Sequence, residues 1–226
     1  MIDVIYNPVA GPKVVNRIDR VRAYLSAHGL PFRIRETAAP GDAVVMAREA
    51  ALEGADAVVA VGGDGTMNEV ADGLAGSATR LAFVPHGTGN VFAREFSLPE
   101  SVEGCLDLLS SGKTISVRMA KANDRRFVLL ASAGFDAEVV ERMNPRQKNL
   151  LGIAAYVLCG ARHLLRSQPT LWLEFPDRER VEAQAVLVVR GKKYGGNVTI
   201  APDGDIAGET LQVVAREVGA KEQMTV

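Results

Sequence analysis

Residues 57–69 read Ala57-Val58-Val59-Ala60-Val61-Gly62-Gly63-Asp64-Gly65-Thr66-Met67-Asn68-Glu69. The first five are an unbroken apolar run, the pattern of a strand buried on both faces of a parallel sheet. The run passes directly into a loop with glycines at 62, 63 and 65 around one carboxylate. Lacking a Cβ, glycine lets the backbone approach a ligand and aim its N–H groups at it. A row of such N–H groups, closed by a helix N-terminus, binds phosphate. The helix is expected over residues 67–74, with Val70 and Leu74 on its inner face. A carboxylate inside a phosphate loop is favourable only with a divalent cation between the negative groups. Asp64 is therefore read as a residue near Mg²⁺ and a polyphosphate. A Gly-rich hairpin turn is the plainer reading of the same residues.

Two further strand ends repeat the pattern. Leu81-Ala82-Phe83-Val84 ends in Pro85-His86-Gly87-Thr88-Gly89-Asn90, and Ile2–Tyr6 ends in Asn7-Pro8-Val9-Ala10-Gly11. In an open parallel sheet, ligands bind at the carboxyl ends of the strands. Three such loops on one sheet edge read as one nucleotide site.

The set resembles the diacylglycerol kinase catalytic domain family, which includes bacterial lipid kinases and sphingosine and ceramide kinases. The matching pieces are Asn7-Pro8-x-Ala10-Gly11, Thr37, Gly62-Gly63-Asp64-Gly65-Thr66 with Asn68 and Glu69, and Pro85-x-Gly87-Thr88-Gly89-Asn90 followed by Phe92-Ala93-Arg94. Ser132-Ala133-Gly134-Phe135-Asp136-Ala137 and Ala201-Pro202-Asp203-Gly204 fit the family's second domain. The Gly-Gly-Asp-Gly-Thr element alone is shared with NAD kinases and phosphofructokinases. The resemblance implies an α/β fold in two domains. An NAD kinase/phosphofructokinase-like parallel-sheet, ATP-binding domain is expected at 1–118. A mainly antiparallel β domain for the lipid substrate, incomplete and with a helical insertion near 146–166, is expected at 119–226. It further implies contacts to ATP from Asn7, Pro8, Gly11, Thr37, Gly62, Gly63, Asp64, Gly65, Thr66, Met67, Asn68, Gly87, Thr88, Gly89 and Asn90.

Composition agrees with a folded enzyme. The 226 residues are 47% hydrophobic and 23% charged, enough for one large core or two modest ones. A formal net charge of −1 gives no electrostatic case for nucleic acid. Cys105 and Cys159 lie in apolar helical contexts without a CxxC or Cys/His cluster, so they read as buried free thiols. A strand containing Asp3 starts at once, so no signal peptide is expected. Residues 150–161 are apolar or glycine. At ~1.5 Å per residue that helix is too short for a ~30 Å hydrocarbon core, so a buried helix is expected instead. Arg162, His163 and Arg166 behind it complement a helix C-terminus or touch anionic headgroups.

The first half alternates strand and helix, which requires crossovers and a parallel sheet. Val15, Ile18, Val21 and Leu25 mark one helical face, 32–35 a strand, 42–53 a helix, and Val102, Leu106 and Leu109 a last helix closed by Gly112. Beyond Gly112, residues 115–122, 127–131, 171–175, 181–189 and 211–215 read as strands, interrupted by a helix over 146–165. The alternation in Arg180-Val181-Glu182-Ala183-Gln184-Ala185 gives one solvated face, which suits an antiparallel sheet.

Phosphoryl transfer needs positioning, charge neutralisation at the γ-phosphate and a group that takes the hydroxyl proton. The N–H groups of Gly62, Gly63 and Gly65 supply the cradle, Thr66 and Thr88 hydroxyls, and Asn7, Asn68 and Asn90 uncharged amides. Asp64 is assigned to Mg²⁺ and to positioning the Mg–ATP pair. Glu69 opens a helix, where the dipole favours an acid, or serves the site. Lys13 and Arg94 adjoin the loops and pair with phosphate or with solvent. His86 hydrogen-bonds within its loop, and Asp136 lines a cleft. Two departures from the family stand out. Related lipid kinases place an Asp-Gly-Glu segment near the C-terminus, thought to supply the general base. The sequence ends Gln223-Met224-Thr225-Val226 without one, so a truncated or shortened member is expected, with no general base found in the chain. Some bacterial relatives also hold a structural Mg²⁺ through an Asp-Asp-Gly stretch after the proline. Here that stretch is Ala207-Gly208-Glu209, leaving Asp205 or Glu209 as candidate ligands.

The leading expectation is an ATP- and Mg²⁺-dependent lipid kinase acting on diacylglycerol or a related lipid. It would be cytoplasmic, touching the inner membrane face peripherally, with no transmembrane segment; assembly into a homo-oligomer is left open. Phe135 and the 150–165 helix would line the lipid's apolar half. The alternatives are an NAD kinase-like enzyme with a soluble acceptor and a nucleotide- or lipid-binding module without turnover.

Overall fold

The computed structural model describes residues 1–11, 14–87, 89–134, 137–138, 170–176, 178–195, 197–217 and 224–225. The chain divides into two compact units, Met1–Val128 and Leu129–Val226. The division lies beyond the 118/119 position expected from sequence. The added stretch is a hairpin, β5 (Ala120–Ala122) and β6 (Arg125–Phe127), which the first unit holds through α3.

The first unit is built on four parallel strands: β1 (Ile2–Tyr6), β2 (Phe32–Glu36), β3 (Ala57–Gly62) and β4 (Arg80–Pro85). Their order is β2-β1-β3-β4, with Val4 level with Val59 and Ala60 level with Phe83. The crossovers are α1 (Val14–Ala27), α2 (Asp42–Leu52) and α3 (Asp64–Leu74), followed by α4 (Val91–Glu95) and α5 (Val102–Ser110). Every residue of β3 is buried, which is why its sequence is apolar without alternation. One pleat face carries Val4, Val59, Val61 and Val84 against Val14, Ile18, Val21 and Leu25 of α1 and Val102 and Leu106 of α5. The opposite positions Ile5, Val58, Ala60 and Phe83 are buried too, on the side where α2 and α3 pack. Burying each such valine or leucine is worth about 1.5–3 kcal/mol against leaving it in water.

Three local features differ from the sequence reading. The face of α1 is led by Val14, while Val15 is 61% exposed. Positions 14, 18, 21 and 25 step by four, three and four residues, and a neighbour one residue on lies about 100° around the helix. Helix α3 starts at Asp64, not Met67, because Gly63 takes the extended cap conformation (φ −90°, ψ −174°). The strand expected over 115–122 begins only at Ala120, and Ile115 is solvent-exposed.

Asp3, the second residue of β1, is fully buried. Arg33 donates to it through Nε at 3.2 Å and also through its second terminal nitrogen, and Arg35 stands 3.7 Å away. Arg33 reaches on to Glu53 at 2.8 Å, and Arg35 donates to the Met46 carbonyl at 3.1 Å. The edge strand β2 is thereby tied to both β1 and α2. Cys105, a free thiol, is buried on α5, where desolvation pushes it up to about 11. Cys159 lies outside the described residues.

The second unit is an antiparallel sheet. Its strands are β7 (Leu130–Gly134), β8 (Leu171–Phe175), β9 (Arg178–Val189), β12 (Gln212–Glu217) and β13 (Met224–Thr225), with the two-stranded pair β10 (Lys193–Tyr194) and β11 (Val198–Thr199) beside them in sequence. The order is β13-β12-β9-β7, with β8 also paired to β9. Val189, Ala201 and Val214 form its core with Leu130, Leu187 and Ile200. On the solvated face, the Arg180 guanidinium lies 4.2 Å from the Trp172 ring centre. The expected helix over 146–165, Phe135 and Asp136 lie outside the described residues. Together the two sheets match the expected α/β architecture of a parallel and an antiparallel part.

Candidate functional site

The strand order makes a crevice at a defined place. β1 and β3 are neighbours, yet the chain leaves β1 toward β2 on one side and β3 toward β4 on the other. Such a switch point leaves the adjoining loops splayed at the strands' carboxyl ends, where open α/β sheets bind ligands. The loops at 7–11 and 62–64 flank it, and the loop at 85–90 stands beside the second.

Backbone contacts lock these loops together. Asn7 N donates to the Val61 carbonyl at 3.2 Å, and His86 N to the Gly62 carbonyl at 2.6 Å. A Cβ built on Gly87 would lie 2.9 Å from the Gly63 Cα, so the second and third loops touch backbone to backbone. Gly62 is needed for a different reason: its Cβ would lie 2.6 Å from the Thr66 hydroxyl oxygen. Gly65, by contrast, faces open space, with nothing within 4 Å of a built Cβ. The N–H groups of a helix's first turn have no acceptor inside the helix. In α3 they surround Gly65, so the open point of the loop is also the positive end of a helix.

Asp64 does not lie loose in this loop. Its Oδ2 accepts from Val91 N and its Oδ1 from Phe92 N, each at 3.0 Å. Asp64 thus caps α4, whose own cap residue Asn90 is left-handed (φ 45°) and makes no side-chain capping bond. Asn90 instead donates from Nδ2 to the Gly87 carbonyl at 2.8 Å. Arg94 donates from Nε to the Gly89 carbonyl at 3.0 Å, and Phe92 packs between Phe83 and Phe96. The N-terminus of α4 is therefore consumed by Asp64, while at that of α3 nothing among the described residues stands in front of Gly65. Each carboxylate oxygen keeps acceptor capacity beyond its one N–H partner. Asp64 therefore fits a hard cation as well as a cap.

The remaining sequence candidates fall into two groups. Asn7 closes a turn with its own side chain, Oδ1 accepting from Val9 N at 3.0 Å, and so shapes the first loop together with Pro8. Gly11 has φ +150° and lies beside the His86 imidazole, with 3.6 Å from a built Cβ to Nε2. Gly89 borders Asp64, at 3.4 Å from a built Cβ to Oδ2. Gly11, Gly62, Gly63, Asp64, Gly65, Gly87, Gly89 and Asn90 are thus gathered by the three loops. Thr37 is buried at the end of β2, its N–H on the Tyr6 carbonyl at 3.0 Å. Thr66 and Met67 are buried against the core. The Asn68 amide is committed to the hairpin: Nδ2 donates to the Arg126 carbonyl at 3.0 Å, and Oδ1 accepts from Val128 N at 2.9 Å. The site drawn by the geometry leaves out the side chains of Met67 and Asn68. Thr88 and Lys13 lie outside the described residues.

Glu69 sits in the second turn of α3 rather than at its start. Its Oε2 accepts from Gly41 N at 3.0 Å, beneath the N-terminus of α2. It holds the 37–41 loop and replaces the dipole role expected from sequence. The contacts of Asp64 with Val91 and Phe92, and of Asn68 with Val128, were not expected. They join residues 27 to 60 positions apart through single hydrogen bonds, which leave no periodicity in the sequence. Asp205 lies in the second unit, its Oδ1 accepting from Ala207 N at 3.0 Å. Among the described residues no three His, Cys, Asp or Glu side chains cluster as a metal site.

Comparison with known proteins agrees with this geometry. Residues 2–122 match the family model of the diacylglycerol kinase catalytic domain. The chain is 32% identical over 209 residues to a diacylglycerol kinase of Bacillus subtilis (strain 168), covering 90% of this chain and 69% of the relative. It is 31% identical to a diacylglycerol kinase of Staphylococcus haemolyticus (strain JCSC1435), covering 90% of this chain and 63% of the relative. The chain thus spans about two thirds of the length of these curated relatives. A crystal structure of a diacylglycerol kinase from Bacillus anthracis str. Sterne superposes with a TM-score of 0.72 at 26% identity, over 96% of this chain and 73% of that one. A second crystal structure from that strain gives a TM-score of 0.78 at 27% identity, over 95% and 72%.

Proposed function

The chain belongs to the diacylglycerol kinase catalytic domain family, and on that premise we propose that it binds ATP at the open N-terminus of α3 and phosphorylates a lipid hydroxyl. Diacylglycerol or a lipid with a similar hydroxyl is the acceptor. In the reaction the acceptor oxygen bonds to the γ-phosphorus, the bond to the β-phosphate oxygen breaks, ADP leaves, and the hydroxyl proton passes to a base.

One observation carries the reading. Gly65 opens the first turn of α3 at the switch point of the sheet, with the 7–11 and 85–90 loops tied on either side. N–H groups fixed there bind phosphate oxygens without reorganising, which is the main way a protein assists phosphoryl transfer. Asp64 would hold Mg²⁺ on its remaining lone pairs while its cap fixes α4. Mg²⁺ supplies neutralisation of the phosphate charge when bound. The lipid acceptor rests on the family and on relatives that carry the name diacylglycerol kinase. Among the described residues no helix is long and apolar enough to cross a membrane. A lipid acceptor would bring the protein to the cytoplasmic membrane face as a peripheral enzyme.

The test is Mg²⁺-dependent transfer of label from γ-labelled ATP to a lipid panel in mixed micelles. This chain and a version extended at its C-terminus are run in parallel. Labelled diacylglycerol supports the proposal, and label only with the longer version puts the base beyond Val226. Label on NAD or another soluble acceptor, with none on lipid, overturns the lipid assignment. ATP binding without transfer in either version makes the chain a binding module.

A further inference from the structure

The residue after β9 is Arg190, and it is 3% exposed. Its backbone N–H continues the sheet onto the Leu129 carbonyl at 2.8 Å. Its side chain turns into the loop between β11 and β12. There Nη2 donates to the Ile206 carbonyl at 3.1 Å and to the Gly208 carbonyl at 2.5 Å. Its Nε finds no acceptor among the described residues. Among the described residues the charge is met by main-chain oxygens, those of Ile206 and Gly208.

The loop is folded tightly around it. Gly204 N donates to the Ala201 carbonyl at 3.0 Å and Gly208 N to the Asp205 carbonyl at 3.1 Å. Ala201 and Ile206 are buried, and a Cβ on Gly204 would lie 2.6 Å from the Gly191 carbonyl carbon. Two carbonyl dipoles aimed inward at one point repel each other unless a positive charge lies between them. Hard cations meet that need in many loops, but they want additional carboxylate ligands. Here the stretch that resembles a structural Mg²⁺ loop has Gly208 where a carboxylate ligand is expected, and the Ile206 and Gly208 carbonyls already accept from a guanidinium whose charge would repel a metal ion. The residues present do not fit a divalent ion.

We infer that the Arg190 guanidinium is the resident cation of this loop, standing where the resemblance implies a structural metal, so that the second unit folds without a structural divalent ion. A guanidinium is always charged and presents several N–H donors in a fixed plane. It can therefore satisfy carbonyls without the near-octahedral oxygen shell that Mg²⁺ demands. The inference is independent of which substrate the first unit takes.

The experiment is thermal unfolding of the whole chain, without nucleotide, in millimolar Mg²⁺ and in EDTA. Wild type is compared with Arg190→Met, Arg190→Lys and Asp205→Asn. The wild-type midpoint is expected to be the same in both buffers. Arg190→Met is expected to melt lower by on the order of 5 °C in both, with Arg190→Lys between the two. A wild-type midpoint that rises with Mg²⁺ and loses that rise in Asp205→Asn overturns the inference. So does an Arg190→Met variant as stable as wild type. Should Arg190→Met fail to fold, the buffer comparison on wild type and Asp205→Asn decides alone.

Discussion

Gly65 and Gly87 are both loop glycines, but they serve opposite ends. A methyl group at Gly87 would press on the Gly63 backbone at 2.9 Å, whereas at Gly65 it meets nothing within 4 Å. Gly87→Ala is expected to cost about 1–3 kcal/mol in urea unfolding, the usual range for a misfit methyl in tight packing. Gly65→Ala is expected to leave stability within about 0.5 kcal/mol or raise it, since alanine suits a helix turn better. Yet its methyl occupies the space in front of the α3 N-terminus, so ATP affinity measured by calorimetry should fall at least tenfold. Unchanged affinity in Gly65→Ala would place the phosphates elsewhere. Asp64 combines two tasks, and its variants separate them. Asp64→Ala leaves two N–H groups of α4 without acceptors, a loss of about 1–2 kcal/mol, so its inactivity proves little about chemistry. Asp64→Asn keeps one acceptor and is expected to retain most of the stability while losing Mg²⁺-dependent transfer. Retention of full transfer by Asp64→Asn removes the carboxylate from the reaction. The spacing of these glycines and of Asp64 was legible in the sequence, because a phosphate loop is local. The cap on α4 was not, because it reaches from Asp64 across 27 positions to Val91.

Helices α1 and α5 share the face that covers Val4, Val59 and Val84, and a surface pair joins them outside that core. Arg20 bonds Glu103 through Nε at 2.9 Å and through a second nitrogen. The Arg20 hydrogen bond holds the Glu103 carboxyl below its ordinary range. A carboxyl depressed in the folded state stabilises above its unfolded pKa and loses that contribution as pH falls through the folded value. The stability gap between wild type and Glu103→Gln should therefore be present at neutral pH. It should close as pH drops below about 4.3. Urea midpoints at several pH values check this, and a gap that persists in acid excludes the ion pair as its source. On the opposite face, a Cβ on Gly73 would lie 2.7 Å from the Ala47 Cβ, so α2 and α3 pack with little between their backbones. The strands and most helices of the first unit were readable from apolar runs and helical spacing. The start of α3 is hard to read because Asp64-Gly65 looks like turn chemistry, whereas an acid in a first turn is also a helix signal. Val15 was misplaced because both it and Val14 are apolar and only packing chooses between them. The hairpin at 120–127 is not legible in the sequence, because Asn68, which bonds the Arg126 carbonyl, carries no mark of that bond.

At the scale of the chain, the formal net charge is −1 and the sequence pI about 6.3. Such a molecule gains little from the long-range attraction of an anionic surface. Its association with vesicles of anionic lipid should change less than about twofold between low and moderate salt, as measured by cosedimentation. A steep salt dependence would reveal a concentrated basic face that the overall balance hides. One further consequence follows from the place of β1 in the sheet. β1 pairs with β3, whose residues follow about 55 positions later in the chain, as Ile2 with Ala57. At a synthesis rate of about 5–20 residues per second, β1 leaves the ribosome roughly 3–11 seconds before that partner. Until β2 follows about 30 positions later it is a short apolar strand with two unpaired edges, and one edge stays open until β3, the kind of segment that seeds aggregation. Asp3 is its second residue, and the Arg33 and Arg35 that pair with its carboxylate come only with β2. The carboxylate thus guards the nascent strand while it waits, and the arginines that later neutralise it make correct pairing the condition for its burial.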